Sequence, residues 1–320
     1  MTACIPVLNE TGMTRFRVTD AHQHHFFDTN RLQAKGRRRR CQSLGITRLA
    51  ADRAQSDARR LVLGAAVGMS VAQVHVFVTS LRQAGYTGAV VILTGLADRR
   101  LATYLSTHGV EPRRVWFVRR WHGPIHAYRF ELFARYLRQF GGRYDEVLIS
   151  DVRDVAFQAH PFVGTMGSGC HFFLEGASKT IGNEPTNALY MRLFLAPAEF
   201  EAIAAERISC CGVLLGGIPA VTAYLERMTA RLAAVPLRVR RKIGADTAFH
   251  NLIARAPGDL PSVIVENNVL VATMGIEAAT RYVVDADGRV RTSDGRLPAI
   301  LHQYDRIPEI CAPVEARFAR

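Results

Sequence analysis

Short apolar runs alternate with longer segments of helical spacing between about residue 60 and residue 150 of the chain. The runs lie at residues 61–65, 89–94, 115–118 and 147–149, and their Val, Ile and Leu content is typical of buried parallel strands. The intervening segments predict helices from the N-cap Ser70 to the C-cap Gly85, over 99–106 and over 128–140. This order predicts an α/β fold with a Rossmann-type, doubly wound and mostly parallel sheet flanked by helices.

Turn signals are concentrated near the C-terminus. Residues 285–288 read Asp-Ala-Asp-Gly and residues 293–295 read Ser-Asp-Gly, which favours a hairpin over 282–297. A short apolar run at 300–301 follows it. We therefore expect a small mixed β region after the main sheet.

The first 57 residues differ from the rest of the chain. They contain a histidine cluster (His22, His24 and His25) and four consecutive arginines at 37–40, with weak periodicity. We predict a basic N-terminal extension at 1–57 and one α/β domain at 58–320. The arginine run is not accompanied by the interleaved aromatics of RNA-binding modules, so nucleic acid is not an expected partner.

The charge of the chain is strongly positive, at +13, and nearly all of it comes from arginine. A basic surface favours anionic partners such as phosphorylated substrates or lipid headgroups. No apolar run reaches the roughly 18 residues that a membrane span requires, and the N-terminus lacks a signal-peptide pattern. The six cysteines form no CxxC pair. We expect a cytoplasmic protein whose surface permits peripheral contact with the anionic inner face of a membrane.

Two aspartates, Asp151 and Asp154, follow the apolar run at 147–149, with Arg153 between them. Ligands bind at the carboxyl ends of strands in open α/β sheets, and carboxylates are hard ligands that suit Mg²⁺ or Mn²⁺. The alternative is a pair of solvated turn residues. The element resembles the acidic DxD motif of nucleotide-sugar glycosyltransferases of the GT-A fold. Its spacing is D-x-x-D, so either Asp151 alone or both aspartates would bind the metal.

Other segments share this resemblance, which spans roughly residues 59–310. His302 resembles the late histidine that glycogenin-like enzymes supply as a further metal ligand, although a structural histidine is the alternative. The segment 208–219 resembles their glycine-containing sugar-pocket segment, which would place Gly212 and Gly216 against the donor; a tight strand-to-helix turn is the other reading.

The resemblance also implies roles for charged residues. Arg129, which opens the helix before the acidic strand, would hold the metal-binding loop and the donor, together with Arg153. Asp246, in a segment similar to D-Q-x-x-x-N, would act as a base for the acceptor hydroxyl or contact the donor sugar, or would serve only as an N-cap. Glu175 ends another apolar run and is a second catalytic candidate. Fainter candidates for sugar contacts are Asn183 and Asn187.

The resemblance implies a metal-dependent glycosyltransferase. It would use Mn²⁺ or Mg²⁺ to move a sugar from a nucleotide-diphosphate donor to a hydroxyl acceptor on a polysaccharide, a lipid-linked glycan or a protein. Two alternatives stay open. One is a non-catalytic carbohydrate- or nucleic-acid-binding protein. The other is a phosphatase of the haloacid-dehalogenase type, which requires a second aspartate where this chain has Arg153.

Overall fold

The computed structural model describes residues 57–162, 168–256 and 260–319, and two short strands nearer the N-terminus. The chain divides into two compact units, Met1–Arg53 and Ala54–Arg320. In the first unit, strands β1 (Val7–Leu8) and β2 (Thr14–Arg15) pair antiparallel. Apart from those strands and Asp57, the predicted N-terminal basic extension at 1–57 lies outside the described residues.

The second unit is built from alternating strands and helices. Its strands are β3 (Arg60–Ala65), β4 (Ala89–Gly95), β5 (Glu111–Val115), β6 (Glu146–Ser150), β7 (Val155–Phe157), β8 (Cys170–Leu174), β9 (Ser209–Gly217), β10 (Ser262–Val265), β11 (Val271–Thr273), β12 (Tyr282–Val284), β13 (Val290–Thr292) and β14 (Ile300–His302). Its helices are α1 (Val71–Gln83), α2 (Arg99–Thr107), α3 (Arg119–His122), α4 (Ile125–Phe140), α5 (Pro185–Phe194), α6 (Pro197–Ile203), α7 (Ile218–Ala234), α8 (Leu237–Arg240), α9 (Ala245–Arg255) and α10 (Pro308–Phe318).

Seven strands form the central sheet in the order β10-β8-β9-β6-β3-β4-β5. All neighbouring pairs are parallel except those of β9, which runs antiparallel to both β6 and β8. The chain starts the sheet at β3, builds outward through β4 and β5, and then returns to add β6 on the other side. The prediction of an α/β fold with a mostly parallel sheet flanked by helices is confirmed. The reversal between β3 and β6 creates a topological switch point, where such sheets bind ligands.

Buried side chains cover both faces of this sheet. One apolar cluster packs α4, α7 and α9 against strands that include β6 and β9, and the other packs α1 and α2 against strands that include β3 and β4. Ser70 caps α1 as predicted, because its hydroxyl accepts a hydrogen bond from the backbone of Gln73 while the Gln73 side chain accepts one from the Ser70 backbone. Among the described residues, no helix is long and apolar enough to cross a membrane.

Two predicted boundaries are wrong. The strand expected at 115–118 is instead β5, Glu111–Val115, an edge strand whose largely polar residues hide it from a search for apolar runs. The apolar run itself leaves the sheet, and Trp116 is exposed. Helix α4 begins at Ile125, so Arg129 lies in its second turn rather than opening it.

A small second sheet, ordered β11-β14-β7, lies after the main one in the chain. Strand β14 is parallel to β11 and antiparallel to β7. The expected hairpin is present as β12 and β13, with Tyr282 opposite Thr292. The predicted small mixed β region is therefore confirmed. It matters for the site because β7 begins directly after Asp154 and β14 ends at His302.

A candidate metal centre at the end of strand β6

The two aspartates occupy the short connection between the two sheets. Asp151 follows the last residue of β6, and Asp154 precedes the first residue of β7. The backbone of Asp151 donates a 2.6 Å hydrogen bond to the carbonyl of Gly212 in β9. The carbonyl of Asp154 accepts a 2.8 Å bond from the backbone of Gln303. The connection is thus fixed from two sides, which holds both carboxylates at the carboxyl end of a central strand.

His302 reaches these carboxylates through strand pairing. In the antiparallel pair of β7 and β14, His302 lies opposite Val155, the neighbour of Asp154. Its ring is fully buried, and Nε2 lies 3.6 Å from Oδ2 of Asp151. One potential ligand atom from each of His302, Asp151 and Asp154 can be chosen so that all three lie within 4.8 Å of one another.

The Nε2 atom of His302 has no hydrogen-bond partner among the described residues, although it is buried. A buried polar atom without a partner destabilises the folded state unless another group or an ion binds its lone pair or accepts its proton. The other ring nitrogen, Nδ1, lies 3.5 Å from the thiol sulfur of Cys210, which holds the ring in place. Burial lowers the pKa of His302 more than the nearby carboxylates of Asp154 and Glu175 raise it, so the neutral imidazole that a metal requires is favoured.

Gly212 keeps the space between these side chains open. A Cβ atom added there would lie 2.5 Å from Nε2 of His302 and 2.6 Å from Oδ2 of Asp151. Any other residue at this position would therefore fill the volume that the histidine and the aspartate face. Two hard carboxylates with one imidazole suit Mn²⁺ or Mg²⁺, with Mn²⁺ favoured by the nitrogen ligand. The donor set and the free volume both fit a divalent cation held by Asp151, Asp154 and His302.

A cleft of about 660 Å³ opens over this centre. It lies at the carboxyl ends of β3 and β6, since Ala65 and Asp151 both line it. Of the residues singled out in the sequence, those that line the cleft are Arg129, Asp151, Arg153, Asp154, Glu175, Asn187, Gly212 and Asp246. The structure thus brings together residues from six separate stretches of the chain.

Arginines balance part of the negative charge of the cleft. Arg129 forms an ion pair with Asp151, and its other terminal nitrogen lies 3.7 Å from Oδ2 of Asp246. Arg153 lies 3.4 Å from Oδ2 of Asp154 and 3.0 Å from Oδ2 of Asp305. Arg129 therefore connects Asp151 to Asp246 across the cleft. It is placed to contact an anionic group bound in the cleft.

Asp246 and Glu175 both lie in the cleft but differ in their surroundings. Asp246 is in the first turn of α9, where the helix dipole favours its charge, and it is only 5% exposed. Glu175 follows the last residue of β8 and is also buried. Burial raises the pKa of Glu175 above its usual range, despite a hydrogen bond with Cys210. Because the raised pKa of Glu175 favours its protonated form, Asp246 is the better candidate for a general base.

Two of the predicted contact residues lie elsewhere. Gly216 is inside β9, where it pairs with Val147 near the start of β6, and an added Cβ would lie 2.4 Å from the carbonyl of Gly169. Its missing side chain serves close backbone packing, and it does not line the cleft. Asn183 closes a turn with Thr180 and does not line the cleft either.

Sequence reasoning missed several residues of the cleft. His126 lies one helical turn before Arg129 in α4, and its Nε2 is buried without a partner among the described residues. Its spacing of three residues from Arg129 could have indicated a shared face. Tyr190 also lines the cleft, and its ring packs against Gly244 so closely that an added Cβ would lie 2.2 Å from Cγ. No local pattern marks Tyr190.

A scan against models of known protein families gives no match for this chain, and a search of curated proteins gives none either.

Proposed function

We propose that this protein is a metal-dependent glycosyltransferase that moves a sugar from a nucleotide-diphosphate donor to a hydroxyl acceptor, in the cytoplasm. One observation carries the proposal. Asp151, Asp154 and His302 converge around a volume that Gly212 leaves free, and the buried Nε2 of His302 faces it without a partner among the described residues. The D-x-x-D spacing therefore does not prevent both aspartates from reaching one ion.

The position of the centre supports a nucleotide-linked substrate. It lies at the switch point between β3 and β6, at the carboxyl ends of the parallel strands. Its cleft of about 660 Å³ is within the range of about 300–1,000 Å³ that small-molecule sites occupy. The resemblance to GT-A enzymes is strengthened because the matching residues share this cleft. Gly216 and Asn183 are the exceptions, so the predicted donor contacts that remain are Arg129, Asp151, Arg153 and Gly212.

The roles of the side chains follow from their charges. A divalent cation, when bound, would neutralise the diphosphate leaving group as the bond to the sugar breaks. Arg129 is also placed to stabilise the negative charge of the leaving diphosphate. To do so, it would exchange part of its contact with Asp151 for a phosphate oxygen. Asp246 would accept the proton of the acceptor hydroxyl or bind a hydroxyl of the donor sugar.

Thermal unfolding with candidate donors tests the proposal. The full-length chain would be heated with nucleoside diphosphates and nucleotide sugars, each with and without Mn²⁺, alongside Asp151→Asn and the control Asp145→Asn. Asp145 is exposed and pairs with Arg59, so its substitution removes an acid without touching the cleft. We expect one nucleotide to stabilise the parent and the control only when metal is present, and to leave Asp151→Asn unchanged.

Release of the nucleoside diphosphate from that donor would then establish the transfer chemistry. Metal-dependent nucleotide binding without any release, across a panel of glycan and lipid-linked acceptors, would favour a binding protein. Stabilisation that does not need metal, or that survives in Asp151→Asn, would show that the aspartates are turn residues and would refute the proposal.

A further inference from the structure

Both tryptophans of the chain lie side by side on the surface. Trp116 is 56% exposed and Trp121 is 52% exposed, with ring centroids 5.2 Å apart. The ring of His122 packs edge-on against Trp116 at 5.3 Å and lies 4.4 Å from the ring of Tyr128, which is buried. The tryptophans are therefore held outward by packed rings behind them. Large exposed aromatic groups of this kind mark contact surfaces.

Exposed cations lie on the segments beside the tryptophans, and Glu131, which lines a pocket with Trp116, is paired with Arg135. Residues 112–130 and 227–245 contain no aspartate or glutamate. The guanidinium of Arg241, just after α8, donates a 3.0 Å hydrogen bond to the carbonyl of Arg120 in α3, so these segments share one surface. Its exposed cations are Arg114, Arg119, Arg120, Arg238, Arg241 and Lys242. None of them forms an ion pair within the described part of the chain. We call this surface, with Trp116, Trp121 and Ile243, the aromatic–basic face.

We propose that the aromatic–basic face docks onto the anionic surface of a lipid bilayer. Tryptophan rings favour the boundary between headgroups and acyl chains, and arginines close to them are attracted to anionic headgroups. Ile243 is 63% exposed and adds aliphatic surface beside the cations. That combination fits an interface with an apolar interior better than it fits the phosphate backbone of a nucleic acid.

Docking through this face would set the orientation of the cleft. Ile243 lines the cleft of the metal centre, and so do Ile125 and His126, which follow α3 closely in the chain. The cleft mouth therefore borders the docking surface. If the proposed transferase function holds, its hydroxyl acceptor would be one presented at the membrane surface. This consequence rests on the proposed function, whereas the docking itself does not.

The intrinsic fluorescence of the two tryptophans reports on this face directly, because there are no others in the chain. The full-length protein would be titrated with vesicles of phosphatidylcholine alone and with vesicles containing about one-third phosphatidylglycerol. We expect a blue shift and quenching by lipid-attached quenchers with the anionic vesicles only. We also expect loss of binding between about 0.1 M and about 1 M salt, as the Debye length falls from ~10 Å to ~3 Å.

Charge variants of matched number test the location. The docking variant carries Arg119→Gln, Arg120→Gln and Lys242→Gln, and the control carries Arg138→Gln, Arg143→Gln and Arg281→Gln, three exposed cations on other elements. Each cation near an anionic surface contributes about fivefold to binding, so the docking variant should bind at least about 50-fold more weakly. The control should bind within about fivefold of the parent, because it loses only the long-range attraction between its three substituted cations and the anionic surface. A further variant, Trp116→Ser with Trp121→Ser, should weaken binding in a sedimentation assay about tenfold or more.

Several results would overturn the proposal. Vesicle binding without a change in tryptophan emission would place the contact elsewhere, for instance in residues 1–56. Equal losses in the docking and control variants would show only a general effect of net charge. A single-stranded oligonucleotide that shifts the emission while anionic vesicles do not would assign the face to nucleic acid. Inactivity as a transferase would leave the vesicle result unaffected, so the two proposals fail separately.

Discussion

Replacement of Gly212 by alanine tests the position of the metal most directly. The added Cβ would lie 2.5 Å from Nε2 of His302 and 2.6 Å from Oδ2 of Asp151. The Cβ would also lie 2.4 Å from Cε1 of the ring, so the methyl group would displace the imidazole and the carboxylate that would otherwise bind a metal at about 2.0–2.2 Å. We therefore expect Gly212→Ala to weaken Mn²⁺ binding by at least about 100-fold, which corresponds to about 2.7 kcal/mol.

The same substitution should lower stability. His302 is fully buried and cannot move aside easily, so the contact is an overpacked one and should cost about 1–3 kcal/mol. For a domain of this size that corresponds to a fall in Tm of about 2–4 °C for each kcal/mol. In a His302→Ala background only the carboxylate of Asp151 must shift, and because that side chain is partly exposed, Gly212→Ala should then cost less than about 1 kcal/mol.

Isothermal titration with Mn²⁺ and urea unfolding of the single and double variants measure both effects. Gly142→Ala is the matched control, because an added Cβ at Gly142 meets no atom of the described residues within 4 Å. Suppose that Gly212→Ala folds normally and that its Kd for Mn²⁺ stays within about threefold of the parent's, on a scale where about 1.4 kcal/mol is a tenfold change. The ion then does not lie between His302 and Asp151. That result would remove the main support for the proposed function.

Three further predictions concern stability, and each is measured by urea unfolding across a range of pH. Ser70→Ala should cost about 1 kcal/mol because it removes the cap of α1, and an unchanged midpoint would contradict this. Burial raises the pKa of Asp57, but bonds from the backbone and side chain of Thr87 and from His160 outweigh it and hold the pKa below 3.8. The stabilisation by Asp57 is therefore full above about pH 4 and is lost as the pH falls through the lowered pKa of the folded state. Asp57→Asn should cost about 1–3 kcal/mol at neutral pH. Burial lowers the pKa of His250 from 6.5 to about 3, so the unfolded chain binds a proton there that the folded chain does not. Stability should fall as the pH drops from 6.5 toward 3, by at most about 1.4 kcal/mol per pH unit, and more steeply in the parent than in His250→Gln.

Local patterns were sufficient wherever a segment is buried along its length. The strands around 61–65 and 147–149 and the capped start of α1 were legible because apolar periodicity and cap chemistry are properties of a few neighbouring residues. Strand β5 was misplaced because an edge strand buries little of its surface and its sequence is largely polar. The antiparallel direction of β9 could not be read at all, since pairing direction depends on how distant segments meet.

The candidate site shows the same division. The sequence alone determined that two aspartates follow a buried strand, that a glycine-containing segment and a helix start carrying Asp246 come later, and that a histidine ends a late strand. Tertiary structure decided which of these meet. His302 reaches the aspartates only because β14 pairs with β7 in one register, and a shift of one residue would turn its ring to the other face of the small sheet. Gly212 enters the centre, and Gly216 does not, because four residues of extended chain carry the backbone about 13 Å along β9. Register and sheet order are set by packing between segments that are distant in the chain, and no local pattern encodes that packing.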